Sequence, residues 1–260
     1  MQLFDSITHP SEEGIWFNAD KGNTFENLVN DLQKNRLVGA CAVSMPHTDL
    51  GYFDSFYKKC KQHSGLFPVP AFQFTHPNYE EQVNYLMEIG YQAIKIHPRL
   101  SGLNLDADFE KLQAVFQLCE KHKLTIFFCT YCHHSISETP LFPTLHYVIR
   151  LLKSAPTVKI ILLHGGDVSL LHYCQLARFN PNILIDISYT FLKFKNSSLE
   201  QDFRFLFNNF EKKICVGSDY PDYSISEFRQ RFDELALTVQ DKTKLPHIAH
   251  LNIMKFLNLI

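Results

Sequence analysis

The chain has 260 residues, 45% of them hydrophobic and 20% charged, with a formal net charge of -2, a balance that suits a globular protein with one large buried core. Near-neutral charge gives no electrostatic case for a nucleic-acid or membrane partner, and no apolar run approaches the length of a membrane span. The opening "MQLFDSITHP" lacks the layout of a secretory signal, so a cytoplasmic location is expected, with the seven cysteines as reduced thiols.

Along the chain, short apolar runs alternate with longer amphipathic stretches. "QLFDSI" (2–7) reads as a strand, and 24–35 as a helix with Phe25, Leu28, Val29 and Leu32 on one face. Strands follow at "LVGACAV" (37–43), "FPVPAFQF" (67–74) and "YQAIKI" (91–96). A helix over 108–122 presents Phe109, Leu112, Val115, Phe116 and Cys119. "LTIFFC" (124–129), "VKIILLH" (158–164) and "NILIDIS" (182–188) are further strands. The Phe-rich "DFRFLFNNF" (202–210) reads as a helix packed on the sheet. "KICVGSD" (213–219) is the eighth strand, followed by a helix over 227–237 carrying Phe228, Phe232 and Leu235. Roughly eight strand–helix units predict an α/β fold, a (β/α)8 TIM barrel forming a single domain over 1–260. The structural rival is an open doubly wound sheet, but no Gly-rich phosphate loop follows any strand.

In such a barrel, catalytic groups sit at the C-terminal ends of the strands. Those ends read "DSITH" with His9, "IKIHPR" with Lys95, His97 and Arg99, "CTYCHH", "LLHGG" with His164, and "GSDYP" with Asp219. The strand period of two puts Ile94 and Ile96 toward the helices and Lys95 and His97 into the barrel. It also puts Asp5, Ile7 and His9 on one face, and Cys215, Gly217 and Asp219 on one face. "CTYCHH" has the form of a c-type haem attachment, half a zinc site or a redox pair. Haem attachment needs an exported chain, and a redox pair normally opens a helix, whereas this one follows a strand. The bland fate of such cysteines is burial as small inert side chains. Asp167 and Ser169, after "HGG", are expected to cap the next helix.

The set "FDSITH", "YQAIKIHP", "ILLHGGD", "NILIDIS", "ICVGSDYP" and "HLNIMKFL" resembles the amidohydrolase-2 branch of the amidohydrolase superfamily, in order and over nearly the whole chain. The resemblance implies a distorted (β/α)8 barrel, and a branch of metal-dependent hydrolases, aromatic-acid decarboxylases and lactone hydrolases that can work without metal. It implies that Asp219 binds metal and takes a proton from the attacking water, that His164 holds the water or polarises substrate, and that His9 is the surviving member of a histidine pair. Two positions depart from the pattern: Ile7 stands where the first strand's other histidine belongs, and Cys129 where the fifth strand's histidine belongs. The implied metal ligands are then His9, Cys129 and Asp219, for one divalent ion such as zinc or manganese, or there is no metal; a shift in alignment would bring in His133 or His134. Thiolate ligation would make the ion a weaker Lewis acid.

A carboxylate among apolar walls is expected to have a raised pKa, which would suit Asp219 as a base; the bland alternative is a turn aspartate. Lys95, His97 and Arg99 are expected to anchor a small anionic substrate. The leading expectation is hydrolysis of a small lactone, ester or amide. Decarboxylation of an unsaturated acid is the enzymatic alternative, and a non-catalytic relative that binds a small molecule or a protein is the other.

Overall fold

The computed structural model describes residues 1–131 and 139–260. Eight strands carry the architecture: β1 (Leu3–Thr8), β2 (Leu37–Val43), β3 (Leu66–Val69), β4 (Ala93–Ile96), β5 (Thr125–Cys129), β6 (Ile160–Leu163), β7 (Ile183–Asp186) and β8 (Ile214–Cys215). They form two parallel ladders, β1-β2-β3 and β4-β5-β6-β7-β8. Backbone hydrogen bonds bridge both seams. Lys95 N–H donates to the Pro70 carbonyl (2.7 Å) and Phe72 N–H to the Lys95 carbonyl (2.8 Å), joining β3 to β4. Ser6 N–H donates to Val216 and Asp219 N–H to Ile7, both at 3.1 Å, joining the end of β8 back to β1. The ring of eight parallel strands is the TIM-barrel architecture expected from the alternation of apolar runs.

Helices α1 (Phe25–Lys34), α2 (Gly51–Lys61), α3 (Tyr79–Ile89), α4 (Phe109–His122), α5 (Thr144–Ser154), α6 (Leu170–Arg178), α7 (Leu199–Asn209) and α8 (Ile225–Thr238) each follow a strand. Thr24 caps α1 by accepting from Asn27 N–H, Asn78 caps α3 by accepting from Glu81 N–H, and Ser224 with Glu227 forms a capping box on α8. Ser169 sits at the N-cap position of α6 but makes no side-chain capping bond. Among the described residues no helix is long and apolar enough to cross a membrane, and the six described cysteines are all buried and free.

The strand period sorts the core into two layers. Ile94, Ile96, Ile126, Phe128, Ile160 and Leu162 pack outward with helix residues such as Leu112 and Phe116. Val43, Val69, Ala93, Phe127, Ile161, Leu184 and Cys215, one from each of β2 to β8, form a separate interior cluster. Ile253 and Leu257 of the C-terminal stretch "HLNIMKFL" belong to that interior cluster and close the barrel's lower end. β1 breaks the alternation. Its register shifts between Asp5 and Thr8, so Phe4 and Ile7, of opposite parity, both enter the interior cluster. The expected simple face of Asp5, Ile7 and His9 is therefore interrupted by a bulge, which re-aims side chains near the strand's end.

Candidate active site at the mouth of the barrel

Five strand ends deliver polar groups to one small cavity of about 80 Å³. His9, Lys95, His97, Arg99, Cys129, His164 and Asp219 all line it, together with Trp16, Tyr131, Tyr189 and Asp222. All seven candidates chosen from the sequence thus share one hollow. His133 and His134 lie outside the described residues. A larger hollow of about 620 Å³ opens at the other end of the barrel, beside Thr125, Val158 and Asn182, and none of the seven reaches it.

His9 follows β1. Its Nδ1 lies 3.0 Å from the Val43 carbonyl oxygen. A carbonyl only accepts, so Nδ1 carries the hydrogen and Nε2 presents a lone pair when the ring is neutral. Burial, followed by the charge on Lys95, pulls the imidazole down to about 4, which keeps it neutral at pH 7. Nε2 lies 3.1 Å from Lys95 Nζ and 3.6 Å from an Asp219 oxygen. Lys95 Nζ therefore donates to His9, and the His9–Asp219 contact is not an ion pair; burial pushes the Lys95 pKa down against the pull of Asp219. The Trp16 indole, from the short hairpin over 15–20, stacks on His9 at 4.6 Å between ring centroids. Its N–H donates to Asp222 at 2.9 Å, which holds the ring over the cavity.

The chain leaves β6 through an unusual turn. His164, Gly165, Gly166 and Asp167 all have positive φ, between 55° and 78°. A Cβ on Gly166 would lie 2.1 Å from the Tyr173 ring, so the "HGG" sequence answers a backbone and space requirement. His164 and Asp219 are both non-glycine residues in the left-handed region, with φ of 63° and 60°. Such outliers persist only where surrounding contacts hold them. For His164 those contacts come from the stretch at and just after β7: its N–H donates to Asp186 (3.1 Å), and its Nδ1 lies 3.3 Å from both the carbonyl and the hydroxyl oxygen of Ser188.

The charges follow from these positions. Burial alone would raise the Asp219 pKa, but the charges of His164 and Lys95 outweigh it and hold the carboxyl well below the usual range. The expectation of a raised pKa fails for that reason: the cavity walls are cationic as well as apolar. Burial opposes the His164 imidazolium, but Asp219 and then Cys129 raise it to about 9. Burial would raise the Cys129 thiol, yet the neighbouring imidazoles of His97 and His164 bring it well below its ordinary value. His97 Nδ1 accepts from Leu100 N–H at 3.3 Å, which leaves Nε2 as its donor nitrogen. The pocket thus sets the Asp219 carboxylate against the His164 imidazolium, with Lys95 pushed down by burial and held up foremost by Asp219.

A divalent ion at His9, Cys129 and Asp219 would need their lone pairs to converge. Ile7, in the interior apolar cluster, offers no donor atom. The His9 lone pair is taken by the Lys95 ammonium. Among the described residues no three His, Cys, Asp or Glu side chains group closely enough to hold a metal ion. A catalytic zinc generally wants three protein ligands and an open position, so the residues present do not fit a resident ion, and no step below runs through one.

Beneath the cavity lies a buried polar layer. Asp5 Oδ1 accepts from the N–H groups of Ile7 (3.1 Å) and Ser218 (2.9 Å), while its Oδ2 is buried without a hydrogen-bond partner. Burial pushes this carboxyl up to about 7. A raised carboxyl pKa supplies stability that is fully present below about 4, its unfolded value, and lost as pH rises through about 7. Asp5→Asn keeps an acceptor for both N–H groups and removes the buried charge. Chemical denaturation at pH 8 is expected to show it more stable than wild type by about 3 kcal/mol, with the gain gone at pH 4. A variant equally or less stable at pH 8 would show that the carboxylate is accommodated.

Three comparisons with known proteins bear on this barrel. A family model described as Amidohydrolase matches residues 36–259. No curated protein matches the chain by sequence. Among solved structures, an uncharacterised TIM-barrel protein from Bordetella bronchiseptica superposes with a TM-score of 0.79 at 15% identity, covering 99% of both chains. A protein from Pseudomonas putida assigned as a 2-pyrone-4,6-dicarboxylic acid hydrolase gives 0.70 at 12% identity, covering 98% of this chain and 97% of that one. A dihydroorotase from Campylobacter jejuni gives 0.69 at 15%, covering 99% and 83%. At these identities the structures speak to the fold alone, while the family model spans most of the sequence: the chain belongs to the amidohydrolase family.

Proposed function

We propose that this protein hydrolyses a small, activated carbonyl compound, a lactone or ester before an amide, at the mouth of its barrel. The observation that carries the reading is the meeting of an ionised Asp219 with His9, Lys95, His97 and His164 in one cavity. Asp219 accepts a proton from a water as it attacks the carbonyl. Lys95 and His97 donate to the oxyanion that develops. Protonated Asp219, being a strong acid in this setting, then passes the proton to the leaving oxygen.

The depressed Asp219 pKa selects among acyl substrates. A weak base gives little help to water, so the carbonyl must already be electrophilic and its alkoxide a fair leaving group. Lactones and esters meet that demand better than amides. Arg99, exposed at the rim with its guanidinium 5.8 Å from the Tyr131 ring centroid, is placed to take a substrate carboxylate, which favours an anionic substrate.

The test is a panel of carboxylated lactones and esters, followed by a pH profile on the best substrate. Turnover is expected to be level through neutral pH and to fall tenfold per pH unit above about 9, as the His164 imidazolium that polarises the substrate carbonyl is lost. A panel compound that saturates the fluorescence of Trp16, the only tryptophan, yet is never turned over would instead make the protein a binder of small molecules.

A further inference from the structure

We propose that the Lys95 ammonium is the resident cation of this site, standing against the His9 lone pair where a divalent ion would have to bind. The chemical consequence, a side-chain cation polarising the carbonyl, rests on the hydrolase reading; the identity of the cation does not.

Four observations point the same way. The His9 tautomer is set by Val43, so Nε2 turns its lone pair into the cavity, as a metal ligand's would. What meets that lone pair, at 3.1 Å, is Lys95 Nζ. The lysine is buried, 4% exposed, yet its stem enters from β4 with Ile94 and Ile96 locked against the helices on either side of it, so its direction is set by the strand. Finally, burial works against a charge on Lys95, and the Asp219 carboxylate is the foremost group that favours it. Ile7 fits the same scheme. Its side chain packs into the interior cluster and brings no lone pair to the cavity.

The ammonium has three donors and no acceptor. One is given to His9, and among the described residues Nζ has no other hydrogen-bond partner. Two N–H groups therefore remain for an oxygen entering the cavity. Both a divalent ion and an ammonium can stabilise an oxyanion, but the ammonium does so by hydrogen bonds and without supplying a bound hydroxide. That returns the work of activating water to Asp219.

The experiment measures metal binding directly and needs no turnover. Metal-stripped wild type, Lys95→Ala and the double variant Lys95→Ala/His9→Ala are dialysed against zinc and titrated with cobalt, whose visible absorption reports ligand geometry. Wild type is expected to hold no stoichiometric ion. Lys95→Ala, with the cation removed and space opened, is expected to bind at least tenfold more tightly than wild type, and the double variant to lose that gain. A readout on wild type alone covers the case in which Lys95→Ala does not fold: the nitrogen resonances of His9 are expected to stay unmoved by excess zinc. Wild type retaining one zinc released by His9→Ala, a His9 resonance shifted by zinc, or a folded Lys95→Ala with no gain in affinity would each overturn the proposal. None of these outcomes depends on finding the substrate, so the hydrolase reading stands or falls separately on its panel.

Discussion

Asp219→Asn is expected to lower kcat/KM by about a thousandfold, equivalent to about 4 kcal/mol of transition-state stabilisation. The amide has the carboxylate's shape but cannot take a proton from water, so the loss should fall on kcat. The substitution also removes the foremost negative charge facing His164 and Lys95. Asp219 is the foremost of the charges that hold His164 up to about 9, so the residual activity should lose its alkaline limb at a lower pH than wild type. Binding should survive, because the carboxylate is not the group that meets an anionic substrate. Ligand titration through Trp16 fluorescence, which shares the cavity, is expected to give a Kd no weaker than wild type's. Steady-state kinetics with a thermal melt decides the matter. A variant that melts like wild type and keeps more than a tenth of its kcat would remove Asp219 from the chemistry.

The parts of this site that could be seen in the sequence are those that a strand's own period determines. Ile94 and Ile96 against Lys95 and His97 is a statement about four neighbouring residues, and the alternation holds in the structure. The same holds for the helix faces of α1, α4 and α8, whose buried residues recur at three and four. What could not be seen depends on partners far away in the chain. The bulge in β1 is set by pairing with β2 and with the end of β8, so the simple alternation through Asp5 and Ile7 gave the wrong face. Trp16 sits over His9 only because Asp222, 206 residues on, receives its N–H. The sign of the Asp219 shift is not a local property, because it depends on His164 and Lys95, which other strands deliver. One further signal is local: "NILIDIS" places a carboxylate and a hydroxyl at the end of an otherwise apolar strand, where a buried charge needs a reason.

That carboxylate, Asp186, carries the second large expectation. It is fully buried and collects four donors. One oxygen accepts from the Ser6 hydroxyl of β1 and from Ser188 N–H at 3.1 Å. The other accepts from the Ser188 hydroxyl and from His164 N–H at 3.1 Å. One side chain thus ties β1 and the turn after β6 to the end of β7, and it fixes Ser188, which in turn faces His164 Nδ1. Asp186→Ala would leave two buried backbone N–H groups and two hydroxyls without their acceptor, beside a charged imidazole. The expected loss of stability is about 3–5 kcal/mol, the range for removing one member of a buried charged network. Asp186→Asn keeps the volume and one acceptor oxygen, and the serine hydroxyls can turn to accept from its amide, so its cost should be smaller, about 1–2 kcal/mol. Denaturant unfolding separates the two variants. The kinetic consequence should track His164: in Asp186→Asn, with the fold retained, the imidazolium loses a nearby negative charge and the alkaline limb should move below the wild-type value of about 9. An Asp186→Ala protein within 1 kcal/mol of wild type would mean that the four donors find other acceptors, and that the left-handed turn at His164 is held by the packing of Gly165 and Gly166 alone.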